Sequence, residues 1–469
     1  MKKIIAMMLS TALLFSLSAC KGEETTSGLP SSSQVISSEQ TTPTEDEVPA
    51  HQKVYFKPTC VTLSLYDTAN TSYGFTWNTE LEPKNSVLQI TEGEAFDEGN
   101  CTEIQAEVEL ASANLPSPTI IYVSKAVATL KPNTTYTYRA YDKGAKVASN
   151  SATFKTSNFT ADTFKFVHVS DSQVNAGESD IGFEAIGTGK PFGATLEGLL
   201  KFSPNFLLHT GDIVEYSKYE TYWRNQLDYN GKYIRKLPIM PISGNHETTY
   251  RAGEHEIYKH FNVKMQEQET KLGFYYAFDY GNVKFIMLNT NEQGDNGIAE
   301  EQYKWLKDTL KNNDKKWTIV AMHNPMYSVG KYGANPANNA YALQLRTQLT
   351  KLFADYGVDL VLQGHDHAYS KTYPIKADGT ADLTPTIQTE NGTDYTVNPK
   401  GAIYVMHGPA GNQTRGVVEA DSKLYDFADA SNESSWAEIT VEKDRLTVNI
   451  MYDKKGTPAE YKSYGIIKK

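Results

Sequence analysis

Five short polar clusters, each directly after a short apolar run, lie between residues 171 and 367. The clusters are Asp171-Ser172-Gln173, Gly211-Asp212, Gly244-Asn245-His246-Glu247, His323 and Gly364-His365-Asp366-His367. The apolar runs before them are FKFVHVS, FLLHT, LPIMPIS, WTIVAM and VDLVLQ, which have the composition and length of buried strands. Ligands of α/β proteins gather at the carboxyl ends of such strands. The pattern therefore predicts an α/β domain with all five clusters at one site.

Helical stretches alternate with strands from residue 159 onward. They are predicted at residues 191–202, 218–227, 300–311 and 341–355. Further apolar runs such as YYAFDY and VKFIMLN extend the sheets beyond a simple parallel set. Residues 376–400 and 408–434 are polar and predict loops, whereas WAEITVE and LTVNIMYD predict a final hairpin. We expect residues 159–469 to form two stacked mixed β-sheets flanked by helices.

Residues 51–158 show a second pattern, of short alternating segments between turn residues. The segments are VTLSLY, YGFTWNT, SVLQIT, IYVSKAVAT and TYTYRAYD, a pattern typical of an antiparallel β-sandwich with Trp77 in its core. A chain of 469 residues is long enough for two hydrophobic cores. The predicted fold class is therefore multidomain, with an all-β sandwich at residues 51–158 ahead of an α/β domain at residues 159–469.

The first 50 residues read as export signal and tether. Residues 1–20 combine two lysines, an apolar stretch and Leu17-Ser18-Ala19-Cys20, which resembles a bacterial lipoprotein lipobox. The resemblance implies lipid attachment at Cys20, and an ordinary cleaved signal is the alternative. Residues 21–50 are rich in Ser, Thr, Glu and Pro, which predicts a disordered tether. We expect an exported protein, anchored to the cell membrane on its extracellular side or secreted if it is not lipidated.

Two further cysteines, Cys60 and Cys101, complete the count of three. In an exported chain one remaining pair suggests a disulfide, and two unpaired thiols are the alternative. The formal net charge is −11 and no basic run occurs outside the signal, which argues against nucleic-acid binding. The sequence predicts no oligomeric state.

Carboxylates, imidazoles and amide oxygens in the five clusters are the ligand types of a two-metal hydrolytic site. Asp212 is the candidate bridge between the two metal ions. The other ligands divide into Asp171, Gln173 and His367 for one metal, and Asn245, His323 and His365 for the other. Such a mixture suits Fe, Mn or Zn better than Ca or Mg.

The order D-x-(H/Q), GD, GNH(E), H, GHxH resembles the calcineurin-like metallophosphoesterase superfamily. Residues 130–139 resemble the fibronectin type III motif in which a tyrosine closes a strand corner, so the whole chain resembles the purple acid phosphatase branch. The resemblance implies hydrolysis of a small phosphate monoester by a hydroxide held between two metals. It also implies that His246 and Asp212 are catalytic, with His246 donating to the leaving-group oxygen.

The chain departs from that branch at three places. Glu215 stands where purple acid phosphatases have a metal-binding tyrosine, and Gln173 stands where many superfamily members carry a histidine. Tyr369-Ser370-Lys371 replaces a Tyr-Glu-Arg motif. A phosphodiesterase of the same superfamily therefore stays open, and so does a non-catalytic surface binding module.

Three residues near the clusters are candidates for substrate contact: Glu247, Tyr327 and His407. Glu247 could instead orient His246, and loop structure could explain Tyr327. We expect Asp366 to brace a loop, and we expect His168 and His209 to be core residues.

Overall fold

A computed structural model describes residues 57–114, 118–173, 189–248, 256–265, 274–333, 339–413, 415, 417–418, 423–429, 434–454 and 457–469. The expected signal, the lipidation residue Cys20 and the tether lie outside these described residues. Within them, every helix is too short or too polar to cross a membrane.

The N-terminal domain is a β-sandwich of two antiparallel sheets. One sheet has the order β1-β2-β6-β5, from β1 (Thr59–Asp67), β2 (Ser72–Thr79), β5 (Glu107–Asn114) and β6 (Pro118–Thr129). The other has the order β4-β3-β7-β8, from β3 (Ser86–Glu92), β4 (Thr102–Gln105), β7 (Thr135–Asp142) and β8 (Val147–Ala148), with β9 (Ala152–Lys155) paired to β7.

Aromatic side chains fill the sandwich core. Trp77 is fully buried and donates from Nε1 to Ser86 Oγ at 3.0 Å. The hydroxyl of Tyr136 accepts a hydrogen bond from the main-chain N–H of Lys131 at 3.2 Å, which is the tyrosine corner that the sequence motif predicts. Phe75 packs edge-on against Tyr138 with ring centroids 4.9 Å apart.

The α/β domain contains two mixed sheets. The first, the β10 sheet, consists in spatial order of β12 (Ile239–Pro241), β11 (Phe206–His209), β10 (Phe164–Val169), β24 (Ser435–Val441), β25 (Arg445–Lys454), β26 (Thr457–Ile467), β21 (Thr393–Val397) and β20 (Ile387–Glu390). The second, the β17 sheet, consists of β13 (Tyr276–Tyr280), β14 (Val283–Met287), β17 (Trp317–Ala321), β18 (Leu360–Gln363), β22 (Ile403–His407), β19 (Tyr369–Thr372) and β23 (Tyr425–Asp429). Strands β10, β11 and β12 run parallel, and so do β14, β17, β18 and β22.

The two sheets share one core. Phe166 of β10 packs edge-on against Phe285 of β14 with ring centroids 5.2 Å apart, and Phe206 of β11 meets the same ring at 5.4 Å. The fold class predicted from the sequence, a β-sandwich followed by an α/β domain of two mixed sheets, is confirmed.

Helices lie outside the sheets, together with a small ribbon of β15 (Gln293–Gly294) and β16 (Gly297–Ile298). The helices are α1 (Lys190–Leu200), α2 (Glu220–Leu227), α3 (Gly231–Ile234), α4 (Glu300–Lys311) and α5 (Ala340–Asp355). Four of them begin and end within two residues of the predicted positions, and α3 was not predicted. Asn339 caps α5 by accepting from the N–H groups of Tyr341 and Ala342.

Two predictions about local structure are wrong. The stretches predicted as loops contain β20, β21 and β23, which are edge or near-edge strands with little apolar character. Cys60 and Cys101 are both free. Cys60 lies in β1 of one sandwich sheet, and its thiol donates a hydrogen bond to Glu220. Cys101 precedes β4 of the other sheet, so the predicted disulfide between them is not formed.

Candidate metal centre

The five polar clusters follow strands whose carboxyl ends converge. Asp171, Asp212 and Asn245 follow β10, β11 and β12 of the β10 sheet. His323 follows β17, and the cluster at 364–367 follows β18, both in the β17 sheet. Because the parallel strands of each sheet end at the same edge, side chains separated by long stretches of sequence meet in one place.

Two triads of ligand atoms share one carboxylate. The atoms of Asp212, His323 and His365 lie within 4.8 Å of one another, and so do those of Asp171, Asp212 and His367. The division is the one expected for a bridging Asp212. His323 Nε2 lies 3.2 Å from Asp212 Oδ2, and His367 Nε2 lies 3.3 Å from Asp171 Oδ1.

The tautomers of two histidines leave lone pairs directed at these carboxylates. His323 Nδ1 contacts the carbonyl oxygen of Thr210 at 2.7 Å, and His367 Nδ1 contacts the carbonyl oxygen of Gln413. A carbonyl only accepts, so each Nδ1 carries a hydrogen, and in the neutral form of each ring Nε2 is the unprotonated nitrogen. Nitrogen and carboxylate lone pairs at about 3 Å repel unless a cation lies between them.

The two amide side chains present oxygen to the same centre. Asn245 Oδ1 lies 3.1 Å from His323 Nε2. Gln173 satisfies its hydrogen bonds when its amide nitrogen donates to the carbonyl oxygens of Asp212 at 2.8 Å and Asp171 at 3.3 Å. The amide oxygen then occupies the position 3.4 Å from Asp212 Oδ2. The structure thus brings together all seven residues predicted as ligands.

Charges in the centre are strongly coupled. Burial favours neutral Asp212, but the His323 and His246 imidazoles outweigh it and hold the Asp212 pKa well below its usual range. Burial likewise opposes protonation of His323, yet the Asp212 carboxylate raises its pKa to about 9. Burial lowers the pKa of His365 to about 3. In the absence of metal, a proton on His323 supplies part of the positive charge that the carboxylates require.

Buried atoms without hydrogen bonds also indicate that these side chains bind cations. Among the described residues, His365 Nδ1 and His367 Nε2 are buried and have no hydrogen-bond partner. A buried polar atom without a partner destabilises the fold unless a ligand satisfies it. With two carboxylates, three imidazoles and two amide oxygens, the donor set fits two ions of Zn, Mn or Fe.

Four of the ligands adopt a backbone conformation that is uncommon outside glycine. The φ angles are +52° at Asp171, +52° at Asp212, +77° at His365 and +51° at His367. Such left-handed residues cost on the order of 1–3 kcal/mol each and persist where surrounding contacts determine them. The repetition at ligands from both sheets indicates that the loops are built to direct these side chains inward.

Glu247 is a buried brace, so its predicted substrate contact is wrong. It is 1% exposed, and its carboxylate accepts from the main-chain N–H groups of Gly244 at 2.7 Å, Asp212 at 2.9 Å, Ile213 at 2.9 Å and Val214 at 3.3 Å. The side chain therefore ties the loop after β12 to the loop after β11. Burial, reinforced by the Asp212 charge, raises the pKa of Glu247 to about 7.

His246 lies at the open side of the centre. Its main-chain N–H donates to Asp212 Oδ1 at 2.9 Å, and its Nε2 lies 3.9 Å from Asp212 Oδ2. Its Nδ1 donates to the carbonyl oxygen of Glu215 at 2.7 Å, which leaves Nε2 as the atom available for proton transfer. Burial would lower the pKa of His246, but the Asp212 carboxylate prevails and raises it.

Sequence reasoning missed several residues around the ligands. The Glu215 carboxylate accepts a hydrogen bond from the side-chain amide of Gln413, and the main-chain carbonyl oxygen of Gln413 orients His367. The Tyr332 ring packs against His365 with centroids 4.3 Å apart. Asp366 holds that loop by accepting from the N–H groups of Tyr332 and Gly333, both at 2.9 Å, which agrees with the brace expected for it. Gln413 and Tyr332 lie in loops with no recognisable sequence signal.

The other two expected substrate contacts are also wrong. Tyr327 is 2% exposed, and its ring lies between Tyr404 and the Arg346 guanidinium of α5. His407 is 1% exposed, and its Nδ1 lies 2.7 Å from His168 Nδ1. Tyr327 lies in a turn segment and His407 ends a strand, and both side chains face the core. The sequence pattern does not show whether a side chain at such a position faces the core or a cleft. His168 and His209 are buried, as expected of core residues.

Comparison with known protein families agrees with the two resemblances identified in the sequence. Residues 164–369 match the calcineurin-like phosphoesterase family. This matched span includes all five polar clusters. Residues 58–156 match the purple acid phosphatase N-terminal domain. Both halves of the expected resemblance are therefore confirmed.

Individual relatives are distant. Purple acid phosphatase 15 of Arabidopsis thaliana is 25% identical over 324 residues, which cover 62% of this chain and 53% of that protein. An uncharacterized Mycobacterium tuberculosis protein is 28% identical over 307 residues, which cover 60% of this chain and 56% of that protein. The chain thus spans little more than half of these relatives. The solved structure of a purple acid phosphatase from yellow lupin seeds has the same fold, with a TM-score of 0.70 at 19% identity, covering 88% of this chain and 75% of that one.

Proposed function

Since the chain carries a purple acid phosphatase N-terminal domain ahead of a calcineurin-like phosphoesterase domain, we propose that it is a metal-dependent phosphoesterase acting on small phosphate monoesters. The observation that carries the proposal is the pair of ligand triads that share Asp212. Two metal ions held there would supply a nucleophile at neutral pH and compensate the charge of the phosphoryl oxygens. Iron, manganese and zinc are the candidates.

His246 is the proposed acid for the leaving group. Its Nδ1 is fixed by the Glu215 carbonyl, so protonation at Nε2 makes an acidic N–H available beside Asp212. The raised pKa favours the protonated ring, which is the form that donates a proton. The Glu215 carboxylate lies 3.9 Å from His246 Nδ1 and adds to this effect.

Monoester preference rests on the purple acid phosphatase domain arrangement, and a phosphodiesterase is the second candidate. Glu215 and Gln173 support the second candidate, because neither is the residue that the purple acid phosphatase resemblance predicts at its position. A chain with such a complete ligand set gives little support to a non-catalytic binding module.

The decisive experiment measures hydrolysis of a chromogenic phosphomonoester and the matching diester. The metal-free protein is reconstituted separately with Mn, Zn and Fe, with Ca as a comparison. We expect turnover with at least one of the first three metals, and a higher kcat/KM for the monoester. A preference for the diester would establish the second candidate.

Asp212→Asn is the control for a metal-dependent reaction. It keeps the size of the side chain but removes the charge that both triads share, so turnover and metal content should fall together. Measured occupancy of two metals without turnover of either substrate would contradict the proposal. Equal turnover by Asp212→Asn would show that the observed activity does not arise at this centre.

We also propose that the protein is exported and held at the membrane by a lipid on Cys20. The sequence of residues 1–20 supports this, as does the tether-like composition that follows. Cys20→Ala should move the protein from the membrane fraction to the soluble fraction when cells are lysed and centrifuged. Unchanged partitioning would rule out the lipid anchor.

A further inference from the structure

A second cluster of potential metal ligands lies between the sandwich and the α/β domain. Cys60 of β1, Glu220 at the start of α2 and His260 after the 3-10 turn Glu256–Lys259 have ligand atoms within 4.8 Å of one another. Cys60 Sγ lies 3.4 Å from Glu220 Oε1, and His260 Nε2 lies 3.4 Å from Glu220 Oε2. The cluster shares no residue with the candidate metal centre.

The sandwich sheet is irregular where it contributes its ligand. The register between β1 and β2 shifts between Thr59 and Thr62, and Cys60 within this bulge has a φ of +50°. A bulge changes the direction of a strand side chain. Here the thiol contacts Glu220 of the other domain, and the Cys60 N–H donates to Asp228 at 2.9 Å.

Two buried polar atoms at this cluster lack hydrogen bonds. His260 and Asn78 are both 0% exposed, and neither His260 Nε2 nor Asn78 Oδ1 has a hydrogen-bond partner among the described residues. The amide nitrogen of Asn78 lies 3.0 Å from Glu220 Oε1 and 3.2 Å from His260 Nδ1, so the amide belongs to the same pocket. The imidazole is held in place by Trp223, whose ring stacks on it at 4.0 Å.

We propose that Cys60, Glu220 and His260 bind a structural zinc ion that links the β-sandwich to the α/β domain. Thiolate, imidazole and carboxylate are the usual zinc ligands, and a cysteine favours zinc over the hard cations. Binding replaces the Cys60 thiol proton, which is released to solvent.

Charge is balanced by such an ion. A Zn²⁺ ion with one thiolate, one carboxylate and a neutral imidazole has no net charge, which suits a fully buried site. Burial, followed by Lys259 and Arg224, keeps the pKa of His260 well below its ordinary value, which favours the neutral imidazole that binds metal ions. The Arg224 guanidinium pairs with Glu80 at 2.5 Å, and Lys259 pairs with Glu256 at 2.7 Å.

Cobalt substitution tests the proposal without reference to activity. The full chain with Cys20→Ser is stripped of metal and titrated with Co²⁺. The candidate metal centre offers only nitrogen and oxygen donors, so thiolate-to-cobalt charge transfer in the near-ultraviolet reports a cysteine ligand. We expect this absorption in the parent chain, in Cys101→Ser and in Asp212→Asn, and its loss in Cys60→Ser. Absence of the band in the parent chain, or its survival in Cys60→Ser, would overturn the proposal.

Two further measurements guard against a misfolded variant. Zinc content should fall by one ion per chain in Cys60→Ser relative to Cys101→Ser, while the near-ultraviolet circular dichroism of the aromatic core is retained. The Cys101→Ser chain keeps all three proposed ligands. In this chain, zinc should slow the alkylation of Cys60 in moderate urea at least tenfold. Alkylation at the same rate with and without zinc would contradict the site even if Cys60→Ser failed to fold.

Discussion

The main-chain N–H of Asp212 donates a 2.9 Å hydrogen bond to the buried carboxylate of Glu247, although the two residues are 35 positions apart in the chain. The same carboxylate accepts from Gly244 at 2.7 Å. Glu247 thus fixes the loops that carry Asp212 and Asn245 relative to each other. The position of Asp212, the proposed bridging ligand, therefore depends on a buried side chain that is not itself among the proposed ligands.

Glu247→Gln should therefore weaken both stability and metal binding. An amide offers one oxygen where two are used, and its NH₂ group would face main-chain donors. We expect a loss of about 2–4 kcal/mol in the free energy of unfolding, measured by urea titration, and at least tenfold weaker metal binding. Glu300→Gln, on an exposed residue of α4 with 71% side-chain exposure, is the matched control and should change neither. Wild-type metal affinity in Glu247→Gln would contradict the bracing role.

Gly211→Ala should disrupt the centre by sterics. Gly211 has a φ of +93°, and a Cβ there would lie 2.5 Å from the nitrogen of Gly244 and 2.8 Å from His323 Nδ1. The loop must shift to accept it, so metal content and turnover should be nearly abolished. Gly357→Ala is the control that has backbone strain without a steric clash, since Gly357 has a φ of +67° and an added Cβ would meet no atom within 4 Å. That control should lose only about 1 kcal/mol of stability and keep full activity.

His246→Asn should affect substrates according to their leaving groups. If His246 protonates the departing oxygen, kcat for an alkyl phosphate should fall on the order of 100-fold or more, because an alkoxide leaves poorly without a proton. An aryl phosphate with an acidic phenol should lose much less, roughly tenfold. Metal content, measured in parallel, should remain at the wild-type level. Equal losses for both substrates would indicate that His246 orders the loop and transfers no proton.

His407 should make the fold sensitive to acid. Burial lowers its pKa from 6.5 to about 3, so between these values the unfolded chain takes up a proton that the folded chain excludes. Stability is therefore fully present above pH 6.5 and is lost as the pH falls towards 3. With chelator present, His407→Asn should reduce the slope of unfolding free energy against pH by about 1 kcal/mol per pH unit between pH 6 and 4.

Val405→Ala is the control for that slope. Val405 is fully buried in the same strand, so its truncation lowers stability without removing a titrating group. Its curve should run parallel to the wild type. A His407→Asn curve that is also parallel would show that the acid sensitivity comes from other groups.

The sequence predicts most of the scaffold and all seven gathered ligands, because apolar runs of strand length precede each polar cluster. Parallel strands then bring the ends together whatever the length of the connections. The amphipathic pattern of α4, with Gln302, Leu306 and Leu310 on its buried face, gives its bounds directly.

Side-chain direction is what a linear pattern does not contain. Glu247 adjoins a ligand in sequence, but the 3-10 turn Asn245–Glu247 points it back to the main chain. His407 ends a strand just as His323 follows one, yet it faces the intersheet core. Strand β20, exposed at alternate positions at the sheet edge, lacks the apolar repeat by which strands are recognised. The bulge at Cys60 likewise leaves no signal in composition.

Each ligand triad takes residues from both sheets, and this division fixes the order in which the centre can be built during synthesis. Asp171 and Asp212 emerge early, whereas His323, His365 and His367 follow only after β17 and β18. A chain interrupted before residue 367 of 469 has Asp212, the proposed bridge, but an incomplete set of the residues that meet it. At the proposed centre, binding of both metal ions would therefore come late in synthesis, after β17 and β18 have been made.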